Sequence, residues 1–157
     1  MCGPSRTSFL TSRRPDTTKL YDFETYWRTD AGNFTTLPEY FKLNGYKTYS
    51  FGKVFHPGKV SNGTLDYPYS WSSRPYVPST QKYKNDPVCR NMFNTTDPKL
   101  YSNIVCPINV DKLPEGTLPD IQVVNAAVRK LKRISKNPFF MAVGFHKPHI
   151  PFKIPES

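Results

Sequence analysis

Three groups of reactive side chains have a spacing that could support chemistry on an anionic group. The first opens the chain as Cys2-Gly3-Pro4-Ser5-Arg6. Pro4 and Ser5 suit the first turn of a helix, whose N-terminus presents free N–H groups and partial positive charge to an anion. Arg6, one turn further on, can place its guanidinium beside the same anion. A small thiol buried at a helix start is the simpler interpretation of this motif, so the motif does not define a site by itself.

Lys53 and His56 form the second group, in the segment Gly52-Lys53-Val54-Phe55-His56. The segment follows residues 46–51, whose weak alternation of apolar and polar side chains predicts a strand. A strand that ends in Gly-Lys projects a cation from the carboxyl edge of a parallel sheet, where the ligand sites of α/β folds form. A histidine, with an ordinary pKa of about 6.5, can exchange a proton in the same place. Taken alone, Lys53 is better explained as an ordinary surface lysine.

The third group contains His146, Lys147 and His149, and it follows the continuous apolar run of residues 139–143. Such a run after Asn-Pro fits a buried strand, so this loop also leaves the edge of a sheet. Prolines on both sides of His149 make the loop stiff, and its side chains make it cationic. The loop is therefore a second candidate for binding an anion.

Helices and strands in alternating order must position these groups. A short helix over residues 36–44 can be capped by Thr36, and a longer helix opens at Pro119, with Asp120 as its candidate N-cap. Phe9 and Leu10 are expected to face the core from the first helix. The apolar residues at helical spacing in the long helix are Val124, Ala127, Val128, Leu131 and Ile134.

This order predicts an α/β fold with a mostly parallel sheet flanked by helices. We expect parallel strands near residues 46–52 and 139–144, with a helix over 120–135 packed on them. Residues 15–34 have no clear period and are predicted to form a loop. Residues 57–119 are rich in proline, serine, asparagine and tyrosine. An irregular segment of that length is typical of a functional or inserted region.

The composition describes one basic, proline-rich domain. The 157 residues carry a formal net charge of +10, and 16 of them are proline. No apolar run approaches the roughly 18 residues that a membrane span needs, which excludes a transmembrane role. The charge favours a polyanionic partner such as nucleic acid, an anionic membrane or a sulfated sugar, although simple solubility explains it as well. No acidic residue lies between Asp120 and Glu156, where the cations are Arg129, Lys130, Lys132, Arg133, Lys136, Lys147 and Lys153.

Cysteines and glycosylation motifs indicate the secretory pathway. The simplest partition of the three cysteines is one disulfide and one free thiol, and only sixteen residues separate Cys89 from Cys106. There is no CxxC pattern and no Cys/His cluster at zinc spacing. Motifs for N-glycosylation begin at Asn33, Asn62 and Asn94. No signal peptide is visible at the start, which conflicts with this interpretation unless the chain is incomplete.

The segment Cys2-Gly3-Pro4-Ser5-Arg6, followed by two apolar residues and Thr11, resembles the signature of the type I, formylglycine-dependent sulfatases. That family usually has glycine where this chain has Ser12. The segments 45–56 and 144–152 resemble two further patterns of the family, although most members place one residue, rather than two, between the lysine and the histidine. All three histidines of the chain lie in these motifs. The resemblance covers essentially the whole sequence.

The resemblance implies a set of catalytic residues. Cys2 would be oxidised to formylglycine, whose hydrated aldehyde is the nucleophile of the family and one ligand of its metal ion. Arg6 would lie beside the sulfate, and Lys53 would bind both the sulfate and the formylglycine oxygen. His56 would take the proton that drives sulfate elimination. His149 would contact the sulfate, and Lys147 would join Lys53 and His149 in binding substrate.

The same resemblance implies the surroundings of the site. The fold would be part of an alkaline-phosphatase-like sulfatase N-terminal catalytic domain, with a disulfide between Cys89 and Cys106. The cofactor would be Ca²⁺, but the Asp-Asp pair and the downstream Asp-His or Asp-Asn pair that hold it in the family are absent from this sequence. The implied partners are the formylglycine-generating enzyme and a lysosomal glycosaminoglycan substrate, namely 2-O-sulfated iduronate at the non-reducing end of dermatan and heparan sulfate.

We therefore interpret residues 1–157 as an internal fragment of that catalytic domain, with a loop-rich insertion over about 57–119. We expect the isolated chain to form the pocket without turning over a substrate. One alternative is a non-catalytic module that binds sulfated glycans or other polyanions. Another is a nucleic-acid binder, for which the basic residues of 129–136 are the sole support, because no RNP, zinc-finger or helix-turn-helix motif accompanies them.

Overall fold

The computed structural model describes residues 1–91, 93–94, 96–134 and 137–156. Within these residues the helices and strands follow in the order α1 (Cys2–Thr11), α2 (Pro15–Thr18), α3 (Trp27–Asp30), α4 (Leu37–Leu43), β1 (Lys47–Gly52), β2 (Val105–Ile108), α5 (Pro119–Leu131), β3 (Phe139–Gly144) and β4 (Phe152–Pro155). Short 3₁₀ turns cover Lys59–Ser61, Ser79–Tyr83, Val110–Lys112 and Pro114–Gly116. No helix among the described residues is long and apolar enough to cross a membrane.

The two predicted strands form a parallel pair. β1 and β3 align over their whole lengths, from Lys47 opposite Phe139 to Gly52 opposite Gly144. Parallel strands need a long crossover connection, and α5 lies within it and packs on both strands. The predicted α/β class, with parallel strands flanked by helices, is confirmed.

The long helix packs on the sheet through a face that matches the predicted apolar positions only at Ala127. Val123, Ala126 and Ala127 are its buried residues, whereas Val124 and Val128 are each 41% exposed. Leu131, also predicted to be in the core, is exposed as well. The small side chains at 126 and 127 let the helix approach the strands closely, so burial follows close approach rather than side-chain size. The helix ends at Leu131, and the predicted end at residue 135 lies outside the described residues.

Asp120 was wrongly predicted to cap α5. The N-cap is Leu118, which makes no side-chain capping bond. The Asp120 carboxylate instead accepts hydrogen bonds from the backbone N–H groups of His146, at 2.7 Å, and Lys147, at 3.1 Å. The loop after β3 brings two backbone donors to this carboxylate. Asp120 therefore links α5 to that loop instead of capping the N-terminus of α5.

The structure of the N-terminal third confirms some of the predictions made from the sequence and contradicts others. Thr36 caps α4 as predicted, since its hydroxyl accepts from the Glu39 amide at 3.2 Å and the Glu39 carboxylate accepts in return from the Thr36 amide. In α1, Leu10 is buried, but Phe9 is 56% exposed, which contradicts its predicted place in the core. The predicted loop over 15–34 contains α2 and α3, whose four residues each are too few to show a helical period.

A small second sheet, which the sequence did not predict, joins the irregular tract over 57–119 to the C-terminal segment. β2 pairs in parallel with β4 over four residues, a length at which alternation is barely detectable. A disulfide joins Cys89 to Cys106 on β2, with 5.8 Å between the two Cα atoms. It packs in a cluster with Ile108 and Leu118. That 57–119 is an insertion stays a prediction.

We expect the double substitution Cys89→Ala/Cys106→Ala to lower the free energy of unfolding by about 3 kcal/mol, because it opens a loop of 17 residues in the unfolded chain. Urea unfolding followed by circular dichroism measures this loss. Cys2→Ala is the matched control, since Cys2 is the free cysteine and its replacement leaves the loop closed. A loss no larger than that of the control would contradict the prediction.

Candidate active site

The start of α1 and the end of β1 meet at Cys2 and Lys53. Cys2 is the first residue of α1, Lys53 directly follows β1, and the Lys53 Nζ atom lies 3.8 Å from the Cys2 Sγ atom. Lys53 is only 7% exposed, and Cys2 is half-buried. Burial lowers the pKa of Lys53, and the Cys2 thiol opposes that shift. A shielded ammonium group thus faces the side chain at a helix N-terminus, a setting that stabilises negative charge.

Two glycines allow Lys53 to reach this position. Gly52 has a φ of +70°, in the left-handed region that favours glycine. The Lys53 amide donates a hydrogen bond to the Gly144 carbonyl oxygen at 2.8 Å. A Cβ atom built on Gly144 would lie 2.0 Å from the Lys53 carbonyl oxygen. The chain therefore crosses the end of β3 at a distance that no side chain on residue 144 would permit.

Arg6 holds the same segment from α1. Its Nη1 atom donates to the backbone carbonyls of Lys53 and Val54, the latter at 2.8 Å. Burial lowers the pKa of Arg6, while the nearby Cys2 opposes that shift. The guanidinium lies near Cys2, as expected, but one of its nitrogens is engaged with the main chain around Lys53. Packing of Leu10 of α1 with Val54 reinforces this link.

His56 and His149 line one cavity together with Lys53, with a volume of about 170 Å³. The His56 ring packs at a tilt of 31° against Phe23, with 4.6 Å between centroids, and its Nδ1 lies 2.7 Å from the Pro57 carbonyl oxygen. Since a carbonyl only accepts, Nδ1 carries the hydrogen, and Nε2 of the neutral ring is left as an acceptor. Burial lowers the pKa of His56, which favours this neutral form.

His149 and Lys147 belong to the loop after β3. His149 is exposed, and its Nδ1–H donates to the carbonyl oxygen of Ile150. Lys147 is half-buried and lines an adjoining cavity in which His149 also takes part. The predicted residues therefore fall into two groups around Lys53. Cys2 and Arg6 contact Lys53 from α1, whereas His56 and His149 line the same cavity as Lys53.

Three further side chains line the Lys53 cavity, namely Gln81 and Lys84, which the sequence did not single out, and His146, to which it assigned no individual role. Gln81 and Lys84 come from the irregular tract, where no periodicity or motif distinguishes them. His146 lies in the same motif as His149, and that motif already placed it in the candidate anion-binding loop.

The structure holds His146 in its neutral form. The amide nitrogen of Gln81 lies 3.0 Å from His146 Nε2, and because that amide nitrogen only donates, the ring nitrogen accepts. Burial, followed by the positive charge of Lys53, lowers the pKa of His146 to about 4 against the opposing effect of Asp120. His146 thus shapes the cavity wall without adding positive charge at neutral pH.

We expect His146 to make stability dependent on pH. Its pKa of about 4 in the folded chain lies below the ordinary value of 6.5, so the unfolded chain binds the proton more readily. The associated stability is complete above pH 6.5 and is lost as the pH falls towards 4. Urea unfolding at several pH values should show that His146→Gln reduces the stability lost between pH 6.5 and 4 by about 1 kcal/mol and so flattens the slope, a value reduced for solvent screening of a half-exposed ring. Equal slopes would contradict this prediction.

The side chains around Cys2 do not fit a calcium ion. Calcium binds roughly six to eight oxygen ligands, whereas the charged side chains next to Cys2 are the cations Arg6 and Lys53. Within the ranges that the structure describes, no group of three His, Cys, Asp or Glu side chains could hold a metal ion. A calcium site at Cys2 would need oxygen ligands that this segment does not carry.

The three predicted glycosylation positions are accessible. Asn33, Asn62 and Asn94 are all exposed. The Oδ1 atom of Asn33 accepts a hydrogen bond from Arg28, which leaves its amide nitrogen for attachment of a glycan. Thr95, in the third motif, and Lys136, in the basic stretch, lie outside the described residues.

Comparison with known proteins shows similarity along the whole chain. A family model described as Sulfatase matches residues 1–157. Proteins named iduronate 2-sulfatase from Mus musculus and Homo sapiens are each 58% identical over 159 residues, covering 100% of this chain and 28% of the relative. A protein named sulfatase from Formosa agariphila is 30% identical over 165 residues, covering 100% of this chain and 31% of the relative. The chain spans less than a third of the length of these relatives. Since the family match extends over every residue, the chain belongs to the sulfatase family.

Proposed function

We propose that this chain contributes part of the active site of a sulfuric ester hydrolase. Membership of the sulfatase family supports the reaction class. The observation that carries the proposal is the 3.8 Å contact between Lys53 Nζ and Cys2 Sγ, which joins residues 51 positions apart. A shielded cation beside a small side chain at a helix N-terminus is suited to binding a sulfate and stabilising charge on its oxygens.

Formylglycine at position 2 fits the surroundings of Cys2. The thiol is free and half-buried, and the Lys53 ammonium is within reach as a donor to an oxygen at this position. The modified residue would supply a hydrated aldehyde as the nucleophile towards sulfur. Its formation would require the formylglycine-generating enzyme as a partner in the secretory pathway.

Each remaining site residue has a role that follows from its placement. Lys53 offsets charge on the sulfate oxygens and orients the oxygen at position 2, with added strength because water is largely excluded from it. Arg6 adds positive charge and fixes the backbone of Lys53. The Nε2 atom of His56 accepts a proton at the cavity, since its Nδ1–H is already committed to Pro57. His149 lines the same cavity and contacts the sulfate there, with Lys147 binding the substrate in the adjoining cavity.

The proposed substrate is 2-O-sulfated iduronate at the non-reducing end of dermatan and heparan sulfate. Support comes from the relatives named iduronate 2-sulfatase and from the net charge of +10, which suits a polyanionic chain. A lysosomal location, reached through the secretory pathway with glycans at Asn33, Asn62 and Asn94, is part of the same proposal. The disulfide is in keeping with an oxidising compartment.

Binding of a sulfated monosaccharide tests the proposal directly. We expect the methyl glycoside of 2-O-sulfated iduronic acid to bind the chain, and Lys53→Ala to weaken its affinity at least about tenfold, because a shielded charge-assisted contact is removed. Isothermal titration calorimetry measures both constants. Lys47→Ala is the matched control, since Lys47 is an exposed lysine at the opposite end of β1.

Two results would contradict the proposal. One is equal affinity of the chain for the sulfated glycoside and its desulfated counterpart. The other is equal loss of affinity in Lys53→Ala and Lys47→Ala, which would show that net charge rather than the Lys53 site determines binding.

A non-catalytic polyanion-binding module remains the second candidate, favoured by the net charge of +10. Elution from heparin with salt, measured beside a sulfate-ester hydrolysis assay, separates the two candidates. If binding is only a distributed charge effect, the Lys53→Ala and Lys47→Ala chains should elute from heparin at the same lowered salt concentration. In that case no sulfate ester should be hydrolysed either, even when Cys2 is converted to formylglycine in a chain that also carries the calcium ligands.

A further inference from the structure

The loop over residues 19–26 joins α2 to α3 and packs on the segment that follows His56. Leu20, near the start of the loop, and Trp27, just after its end, are both fully buried. They form one apolar cluster with Val60, which lies shortly after His56 in the chain. Because apolar side chains are buried at both of its ends, the loop is fastened to this segment.

A hydrogen-bonded turn sets the backbone around Phe23, within this loop. The Oδ1 atom of Asp22 accepts hydrogen bonds from the amides of Glu24 and Thr25, each at 2.9 Å. An aspartate that bonds its own main chain two residues ahead closes a compact turn. The Glu24 carboxylate also pairs with Lys59 of the adjoining segment, at 2.6 Å. The turn and the ion pair together restrict where the Phe23 ring can lie.

Phe23 contacts both the first turn of α1 and the ring of His56. A Cβ atom built on Gly3 would lie 3.2 Å from Phe23 Cδ1, so the backbone of α1 runs directly against the ring. The centroids of the Phe23 and His56 rings are 4.6 Å apart. Since Gly3 directly follows Cys2, the Phe23 ring connects the helix start that carries Cys2 to the His56 imidazole.

Only one of the two neutral forms of His56 suits acceptance of a proton at the cavity. The 2.7 Å contact between Nδ1 and the Pro57 carbonyl oxygen places the hydrogen on Nδ1, which leaves Nε2 as the acceptor. If the ring turned about its Cβ–Cγ bond, Nδ1 would leave this carbonyl and the hydrogen would be free to move to Nε2. A second ring packed against the imidazole opposes that rotation.

We propose that Phe23 is a positioning residue for the sulfatase reaction: its ring holds the His56 imidazole with Nδ1–H on the Pro57 carbonyl, so that Nε2 stays available to accept a proton. This inference rests on the proposed function for the role of His56. The ring contact that carries it does not depend on that function. Phe23 acts through His56 alone and does not touch the sulfate or the oxygen at position 2.

Nitrogen-15 NMR of the chain labelled at its histidines measures the two neutral forms separately. The chain has three histidines, and the signal lost in His56→Gln identifies that ring. Spectra are recorded at about pH 8, where His56 is neutral because its pKa lies below 6.5. In Phe23→Leu we expect the ratio of the Nδ1–H form to the Nε2–H form to fall about fivefold, the factor that loss of one aromatic contact produces. Phe23→Tyr keeps the ring and should keep the ratio.

Tyr21→Leu is the matched control, since Tyr21 is an exposed aromatic residue of the same loop whose hydroxyl donates to Asp16 at 2.9 Å. It should leave the ratio unchanged. A folded Phe23→Leu chain with an unchanged ratio would overturn the proposal, and so would an equal fall in Tyr21→Leu. If Phe23→Leu does not fold, Phe23→Met supplies a flexible apolar side chain in place of the ring and should show the same fall.

Calorimetry with the methyl glycoside of 2-O-sulfated iduronic acid separates positioning from direct contact with the sugar. Phe23 is 36% exposed, so its ring is accessible to a ligand. Positioning predicts that Phe23→Leu retains the affinity for the glycoside within about twofold, because Phe23 acts on the proton acceptor rather than on the bound sugar. Weaker binding at an unchanged ratio would assign Phe23 to the sugar and overturn the proposal. Failure of the unsubstituted chain to bind the glycoside would refute the proposed function, whereas the NMR ratio would still decide whether Phe23 positions His56.

Discussion

Replacement of Gly144 by alanine is expected to lower the free energy of unfolding by about 4 kcal/mol and to abolish binding of the sulfated glycoside. The new Cβ atom would lie 2.0 Å from the Lys53 carbonyl oxygen and 2.4 Å from its carbonyl carbon. Both are main-chain atoms, so no change of rotamer relieves the overlap. The ends of β1 and β3 must separate, which breaks the Lys53–Gly144 hydrogen bond and moves Lys53 away from Cys2.

Urea unfolding and calorimetry of the Gly144→Ala chain measure the two effects. Gly63→Ala is the control, because a Cβ at Gly63 meets nothing within 4 Å although its φ is +66°. That control should cost about 1 kcal/mol from backbone strain and leave sulfate binding in place. If both alanine variants lost similar stability and both bound the glycoside, the close approach at Gly144 would not be what positions Lys53.

Substitution of Asp66 by asparagine is expected to lower the free energy of unfolding by about 3 to 5 kcal/mol. Asp66 is fully buried and pairs with Arg28, whose side chain is 4% exposed, through contacts of 2.7 and 2.8 Å. Burial alone would lower the pKa of Arg28, and hydrogen bonds to Asp66 and Glu39 raise it instead. Removal of the Asp66 charge leaves a buried guanidinium with only Glu39 to offset it.

Asparagine is the informative replacement because residue 66 has a φ of +68°, which asparagine tolerates better than alanine does. Thermal or urea unfolding gives the loss. The matched control is Glu24→Gln, which removes an exposed ion pair with Lys59 of nearly the same length, 2.6 Å, and should cost under about 1 kcal/mol. A loss from Asp66→Asn no larger than that of the control would refute the prediction.

The Arg28–Asp66 pair also bears on the site. Asp66 belongs to the tract that follows His56, and Arg28 belongs to α3, so the pair fastens the tract to the N-terminal helices. We therefore expect Asp66→Asn to weaken sulfate binding only to the extent that the folded fraction falls. The same dissociation constant for the folded chain, after correction for the unfolded fraction, would support this structural role.

Local patterns predicted the elements whose signals are long. The continuous apolar run at 139–143 and the helical period after Pro119 span enough residues to reveal β3 and α5, and the parallel pairing of β1 with β3 follows from the crossover between them. Four-residue elements such as α2, β2 and β4 carry too few residues for a period to show. Their formation depends on partners distant in the chain.

Packing decided which side of a predicted element faces the core. The period of α5 was correct, but its buried face is centred on Ala126 and Ala127 rather than on the larger Val128 and Leu131. Phe9 is exposed for a related reason, since α1 meets its neighbours through Leu10. Apolar periodicity determines that a helix has a buried face, whereas the distance to the neighbouring strands determines which residues occupy it.

The sequence by itself nominated candidate site residues, because the thiol, lysine and histidine side chains of Cys2, Lys53, His56 and His149 lie in short motifs that resemble those of the sulfatases. Only the tertiary structure decided how they are placed. The hydrogen bonds of Asp120 to the loop after β3 and of Gln81 to the neutral ring of His146 join residues 26 and 65 positions apart. The same holds for Lys84, which shares a cavity wall with Lys53. Contacts across such separations arise from chain folding and leave no local pattern, which is why the sequence could nominate the side chains but not the geometry that surrounds them.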